Sequence, residues 1–141
     1  MPIRFFAEGH DFKLCHPRKT STWIKKIINK ERYHPGEVNY IFCTDAYLLS
    51  INQQYLRHNS LTDIITFDYS LEGEGKLISG DIYISTERVE ENANTFARPF
   101  DEELHRVIIH GILHLLGYSD KTGLDKVLMR KKEEACLSLR H

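Results

Sequence analysis

Cysteine is scarce in this chain: Cys15, Cys43 and Cys136 are the whole complement among 141 residues, odd in number and far apart. That argues against a disulfide framework and against a cysteine-paired zinc module. A reducing, cytoplasmic setting is the expectation that follows. Long apolar runs are missing too. None approaches the ~20 residues needed to cross a bilayer, and the short patch around Phe5 and Phe6 is too small for a secretory leader. Charge of one sign is not in excess either, since 19 Lys and Arg stand against 20 Asp and Glu for a net charge of −1. The whole molecule is therefore no polyanion trap, although a local basic stripe can still meet nucleic acid. Lys25, Lys26, Lys30 and Arg32, and further on Arg130, Lys131 and Lys132, read as solvated helix faces. No repeat, low-complexity tract or linker is visible, so residues 1–141 are read as one domain.

What is present is an ordinary globular mixture, 41% hydrophobic and 28% charged, in a chain long enough for a proper core. Residues 2–7 read as a short strand. Residues 20–31 follow as a helix with Trp23, Ile24, Ile27 and Ile28 on one face, capped by Thr20 or Ser21. Residues 37–44 alternate as a strand, and residues 45–55 return to a helical pattern. After a polar loop at residues 57–61 come two strands, 63–69 and 80–85, joined by a turn containing Gly73 and Gly75. Thr86 is expected to cap a helix running to about Phe96, Pro99 and Asp101 to open the next, and residues 123–139 to form the last. This order predicts an α+β fold: a mixed, mostly parallel four-stranded sheet with one antiparallel strand pair, and helices packed against it. The two helix crossovers predict parallel pairings, and the loop-joined strands an antiparallel one.

The chemistry concentrates in His110-Gly-Ile-Leu-His114-Leu-Leu-Gly117-Tyr-Ser-Asp120. Histidines four apart share one face of a helix, roughly one turn from each other. Leu104, Val107, Ile108, Ile109, Ile112, Leu113, Leu115 and Leu116 make that helix apolar nearly all round, hence buried. Burying two imidazoles without partners is costly, and a metal ion satisfies both. Gly117 falls where the helix should end, and Asp120 follows it. His110, His114 and Asp120 are thus the candidate metal ligands, leaving a fourth position open as catalytic zinc requires. Asp120 also reads as a turn residue within Ser119–Gly123. A carboxylate beside two imidazoles hardens the site, so manganese or another divalent ion stands beside zinc. His105 lies five residues before His110, about 140° around the helix, and is not expected to join. Gly111 stands where a zinc peptidase carries its catalytic glutamate. A zinc ion lowers the pKa of bound water to about 7. Phosphodiester cleavage can then proceed without that glutamate, given an arginine for the phosphate charge.

With this motif the chain resembles the YbeY family of metal-dependent rRNA-maturation endoribonucleases. The family pattern His-Gly-x-Leu-His-Leu-x-Gly-Tyr-Asp-His is matched from His110 through Tyr118. Thr62-Asp63-Ile64-Ile65-Thr66-Phe67 is similar to the family's Thr-Asp-Val-Leu-Ser-Phe strand, and Gly80-Asp81-Ile82 to its Gly-Asp-Ile strand. Ile51-Asn52-x-x-Tyr55 resembles a Leu-Asn-x-x-Tyr-Arg helix end, and Met129 falls where the family often has methionine. The likeness covers about residues 40 to 135. Two departures stand out. The family's third metal histidine aligns with Asp120 and its preceding aspartate with Ser119. The family arginine after the tyrosine aligns with Leu56, with Arg57 one place later.

The resemblance implies an endoribonuclease acting in rRNA maturation, including the 3′ end of the small-subunit rRNA, and in ribosome quality control. It implies one Zn2+ per chain, rRNA and ribosomal subunits as partners together with a ribosomal protein, and no membrane. It gives Arg57 a role in RNA cleavage or binding, while Arg57 also reads as an ordinary surface arginine; the metal-bearing His114 is read as catalytic too, and His58 beside Arg57 is a further candidate for acid/base work or phosphate contact. Single-stranded RNA is the expected substrate, because its backbone bends into a cleft. Two rival readings remain: a zinc peptidase of the His-x-x-x-His-x-x-Gly-x-x-Asp type, and a non-catalytic ribosome-associated protein with a structural metal.

Overall fold

The computed structural model describes residues 3–56, 62–70 and 76–140. Its elements in chain order are β1 (Ile3–Ala7), α1 (Pro17–Lys30), β2 (His34–Cys43), α2 (Asp45–Ile51) with a π-helical turn over Asn52–Leu56, β3 (Ile64–Asp68), β4 (Leu77–Ser85), α3 (Thr86–Thr95), α4 (Phe100–Leu115) and α5 (Gly123–Ser138). The strands form one sheet in the order β1-β2-β4-β3. β1 runs parallel to β2, β2 parallel to β4, and β3 antiparallel to β4. The predicted mixed sheet with one antiparallel pair is present. Its second parallel pair, however, is not made across the α2 crossover. β4 inserts between β2 and β3, because Ile78, Ile82 and Ile84 are fully buried and need neighbours on both sides.

Several boundaries differ from the sequence-based expectation for identifiable reasons. α1 starts at Pro17, whose fixed φ suits a first helical position, after His16 in the left-handed region at φ 55°. Thr20 is therefore inside the helix, its hydroxyl donating to the His16 carbonyl at 3.2 Å. Ser85, not Thr86, caps α3, its hydroxyl accepting from the Arg88 amide. The capping of α2 by Thr44 follows the same rule, with the Tyr47 amide as donor. β2 begins at His34 and β4 at Leu77, each three residues earlier than their apolar alternation suggests, with an irregularity between Pro35 and Val38. The loop-joined turn at Gly73 and Gly75 lies outside the described residues.

The sheet separates two cores. On one face α1 and α4 pack Trp23, Ile24, Ile28, Ile108 and Ile112 against Val38, Tyr40, Ile82 and Ile84. On the other, α2 covers a smaller cluster of Cys43, Leu48, Ile51 and Ile65. Two polar anchors tie the larger core together: the Tyr40 hydroxyl donates to the Ile108 carbonyl at 2.8 Å, and the Trp23 indole to the Cys136 carbonyl at 2.9 Å. The second of these ties α5 to α1. Met129 of α5 is buried in this core, so packing explains it. Among the described residues no helix is long and apolar enough to cross a membrane.

Candidate metal centre and its cleft

α4 places His110 and His114 on the same side, near its C-terminal end, where the sheet and α5 leave the helix uncovered. The helix stops at Leu116 because Gly117 takes φ 104°, a conformation that favours glycine. The Gly117 amide donates to the His114 carbonyl and the Tyr118 amide to the Leu113 carbonyl, both at 3.0 Å. That pair of bonds is a Schellman turn, which reverses the chain and satisfies the last carbonyls. The reversal brings Asp120 back over the two histidines.

His110 Nε2 and His114 Nε2 lie 2.9 Å apart, and Asp120 Oδ2 sits 3.3 Å from the first and 3.5 Å from the second. Tetrahedral zinc with ligands near 2.1 Å sets neighbouring donors about 3.4 Å apart. The two distances to Asp120 match that spacing and the two histidines need only part slightly, and the donor set of two imidazoles and one carboxylate suits a small divalent ion. All three ligand atoms fall within 4.8 Å of one another. The residues singled out from the sequence as metal ligands are brought together. Arg57 and His58 lie outside the described residues.

Behind the triangle stands a buried ionic network. His110 Nδ1 donates to Glu133 Oε2 at 2.5 Å, which leaves Nε2 free to face the triangle. Glu133, on α5 with a side chain only 3% exposed, also accepts from Arg106 Nη1 at 2.9 Å. Arg106 in turn holds Glu103, fully buried, through Nε at 3.0 Å and Nη2 at 2.5 Å. Burial alone would push the Glu133 carboxyl up, but His110 and Arg106 hold it below its usual value. Burial likewise disfavours a charged His110, yet Glu133, Asp120 and Asp63 together draw its pKa up. For His114 burial comes first and the neighbouring His110 charge adds to it, so its pKa is lowered. The pair thus takes a first proton more readily than a second. The Glu103–Arg106 part of this network was readable as an i, i+3 pair on one helix. Glu133 lies 23 residues beyond His110, and only the docking of α5 reveals it.

Gly111 decides what the centre does not contain. A Cβ there would lie 3.0 Å from Ile82 Cγ2 and 3.1 Å from Ile64 Cδ1, so a side chain is accommodated only where those isoleucines give way. The position that would carry a peptidase glutamate is a glycine packed against the core. In front of the triangle lies a cleft of about 330 Å³, walled by Thr62, Asp63 and Ile64 on one side and by Arg106, Val107 and the two histidines on the other. Asp63, whose strand was noted for its family likeness but which was given no role, forms part of that wall.

The family model "Endoribonuclease YbeY" matches residues 7–140. The chain belongs to the endoribonuclease YbeY family. Among its relatives, an endoribonuclease YbeY of Flavobacterium psychrophilum is 55% identical over 131 residues, covering 93% of this chain and 91% of the relative. One of Christiangramia forsetii is 52% identical, covering 99% and 94%. A solution structure of a Thermotoga maritima protein superposes with a TM-score of 0.67 at 30% identity, over 98% of this chain and 88% of that one. The four-stranded sheet and its helices are thus a YbeY-type fold, and the histidine motif sits on that fold's α4.

Proposed function

We propose that this YbeY family member is a metal-dependent endoribonuclease that cuts single-stranded RNA in rRNA maturation, at the 3′ end of the small-subunit rRNA among other sites, and in ribosome quality control. Its setting in this reading is the cytoplasm, its partners rRNA, ribosomal subunits and a ribosomal protein. The observation that carries the reading is the triangle of His110, His114 and Asp120 at the head of an open cleft, with a glycine packed against the core at position 111 in place of a peptidase base. Zinc is the ion proposed, one per chain, and when bound it supplies a Lewis acid and a water of lowered pKa. His110, His114 and Asp120 hold that ion. Glu133 fixes the tautomer of His110 so that Nε2 offers its lone pair. Arg57 steadies charge on the scissile phosphate and His58 contacts the backbone beside it. An extended single strand fits a cleft walled by a strand end and a helix, whereas a stiff duplex does not.

The test pairs two substrates. Purified protein, loaded with zinc or stripped by chelator, is incubated with rRNA and with casein. RNA cleavage that disappears on stripping and returns with zinc is expected, with casein intact. Proteolysis without RNA cleavage overturns the reading. Cleavage of RNA that survives removal of the metal makes the ion structural and overturns the metal-dependent part.

A further inference from the structure

The centre poses a chemical question that its ligands do not answer. Cleaving a phosphodiester requires a group that accepts a proton from the attacking oxygen, and Gly111 cannot provide one. Among the described residues four carboxylates lie on or behind the cleft. Glu103 and Glu133 are buried and committed to Arg106. Asp120 belongs to the metal triangle. Asp63 remains. It lines the cleft from the wall opposite α4 and stands outside the group of ligand atoms that lie within 4.8 Å of one another.

Its backbone is fixed, because the Ser85 amide donates to the Asp63 carbonyl at 3.0 Å at the start of the β3–β4 ladder. Its carboxylate is only lightly held, with Asn92 Nδ2 3.5 Å from Oδ2, and among the described residues no cation lies within ion-pair distance of it. Arg106, His110 and Glu103 from α4 and Arg88 from α3 are the charged and titratable groups that face it. A half-buried carboxylate that is oriented by the sheet, open to the cleft and not locked to a cation is equipped to take and return a proton.

We infer that Asp63 is the general base of the RNA cleavage proposed above, supplied from the strand wall in place of a base on the histidine helix. The inference rests on the endoribonuclease reading. In the step, one proton of the attacking water passes to an Asp63 carboxylate oxygen as the water oxygen bonds to phosphorus. The bond from phosphorus to the leaving nucleoside oxygen breaks, and that oxygen takes the proton back from the Asp63 acid. The second water proton stays on the new phosphate, and no oxidant or reductant is needed. Burial raises the Asp63 pKa, partly offset by His110 and Arg106, which brings the group nearer to the working pH of a base.

The experiment compares wild type with Asp63→Asn and Asp63→Glu, zinc-loaded, on a fluorescent single-stranded RNA oligomer under single-turnover conditions. Zinc affinity is measured by competition with a chromophoric chelator, and RNA affinity by anisotropy in metal-free buffer. Asp63→Asn is expected to cleave about 100-fold or more slowly, with both affinities within about threefold of wild type by the distance of Asp63 from the ligands. Asp63→Glu should recover part of the rate. Asp63→Ala should be rescued by added formate, a response that a merely structural carboxylate does not give. The acid limb of the wild-type pH–rate profile should vanish in Asp63→Asn. Cleavage by Asp63→Asn within fivefold of wild type overturns the inference alone. Loss of zinc together with cleavage makes Asp63 a ligand and also overturns it. A wild type that binds zinc and cleaves no RNA overturns the endoribonuclease reading and this inference with it.

Discussion

His105 and the His110–His114 pair stand on one helix and have opposite fates. His105 is buried between α1 and α4, its Nδ1 donating to the Asp101 carbonyl at 2.7 Å and its Nε2 lying 3.4 Å from the Thr20 hydroxyl. Both ring nitrogens are satisfied by the chain itself. His110 and His114 instead turn their Nε2 atoms toward each other across 2.9 Å, with Asp120 Oδ2 beside both at 3.3 and 3.5 Å, so that three possible ligand atoms converge. His105 is buried, and His110 and His114 keep side chains only 16% and 27% exposed, so burial alone is a weak guide to which histidine could hold an ion. What distinguishes them is whether the hydrogen-bond inventory closes locally.

Exchanging the two environments by mutation should separate fold from chemistry most completely. His114→Ala is expected to abolish zinc binding and RNA cleavage while the metal-free protein melts within about 0.5 kcal/mol of wild type. His105→Ala should keep the zinc affinity and cost about 2 kcal/mol of stability, since it leaves buried partners unpaired. Chelator competition and urea denaturation read the two quantities. A His105 variant that loses zinc, or a His114 variant that unfolds, would erase the distinction.

Glu133→Gln probes the support behind the ligands. Gln keeps the volume but loses the charge that orients His110 and balances Arg106, so zinc affinity should fall about 10- to 100-fold. Unchanged affinity would reduce the network to a packing device. Gly111→Ala comes next: its methyl must displace Ile82 and Ile64, for a cost of about 1–2 kcal/mol seen as a lower melting temperature. Zinc affinity per folded molecule should hold.

The smallest effect is a slope. Burial lowers the His105 pKa below its ordinary 6.5, with the Asp101 carbonyl opposing. The unfolded chain therefore binds a proton as pH falls below 6.5 while the folded one resists it. His105 thus contributes stability that is present above 6.5 and is lost on acidification. Melting temperatures of the metal-free protein at pH 7.5 and 5.5 should differ less in His105→Gln than in wild type. An equal difference in the two proteins would assign the slope to other groups.

How much of this was legible beforehand follows from the range of each interaction. The histidine pair, Gly117 and Asp120 lie within eleven residues and obey helix and turn geometry, so their convergence could be read directly. The mixed sheet was legible from alternation and crossover length. That β4 rather than β3 sits beside β2 was not, because both strands alternate in the same way and only relative burial ranks them. Glu133 and Asp63 were invisible as site residues for a similar reason. Each reaches the centre through tertiary docking, of α5 and of β3; Asp63 had only the family likeness of its strand to mark it, and Glu133 had no local pattern.

The close contact at Gly111 also bears on how such a protein can change over generations. Installing a peptidase glutamate there would require trimming Ile82, which is fully buried, at about 2–5 kcal/mol. The carboxylate itself would then face an apolar wall at further cost. A typical domain has only about 5–15 kcal/mol in reserve. A change from this motif to a peptidase base therefore draws on that reserve at Gly111, so the two motifs are close in sequence and farther apart in packing.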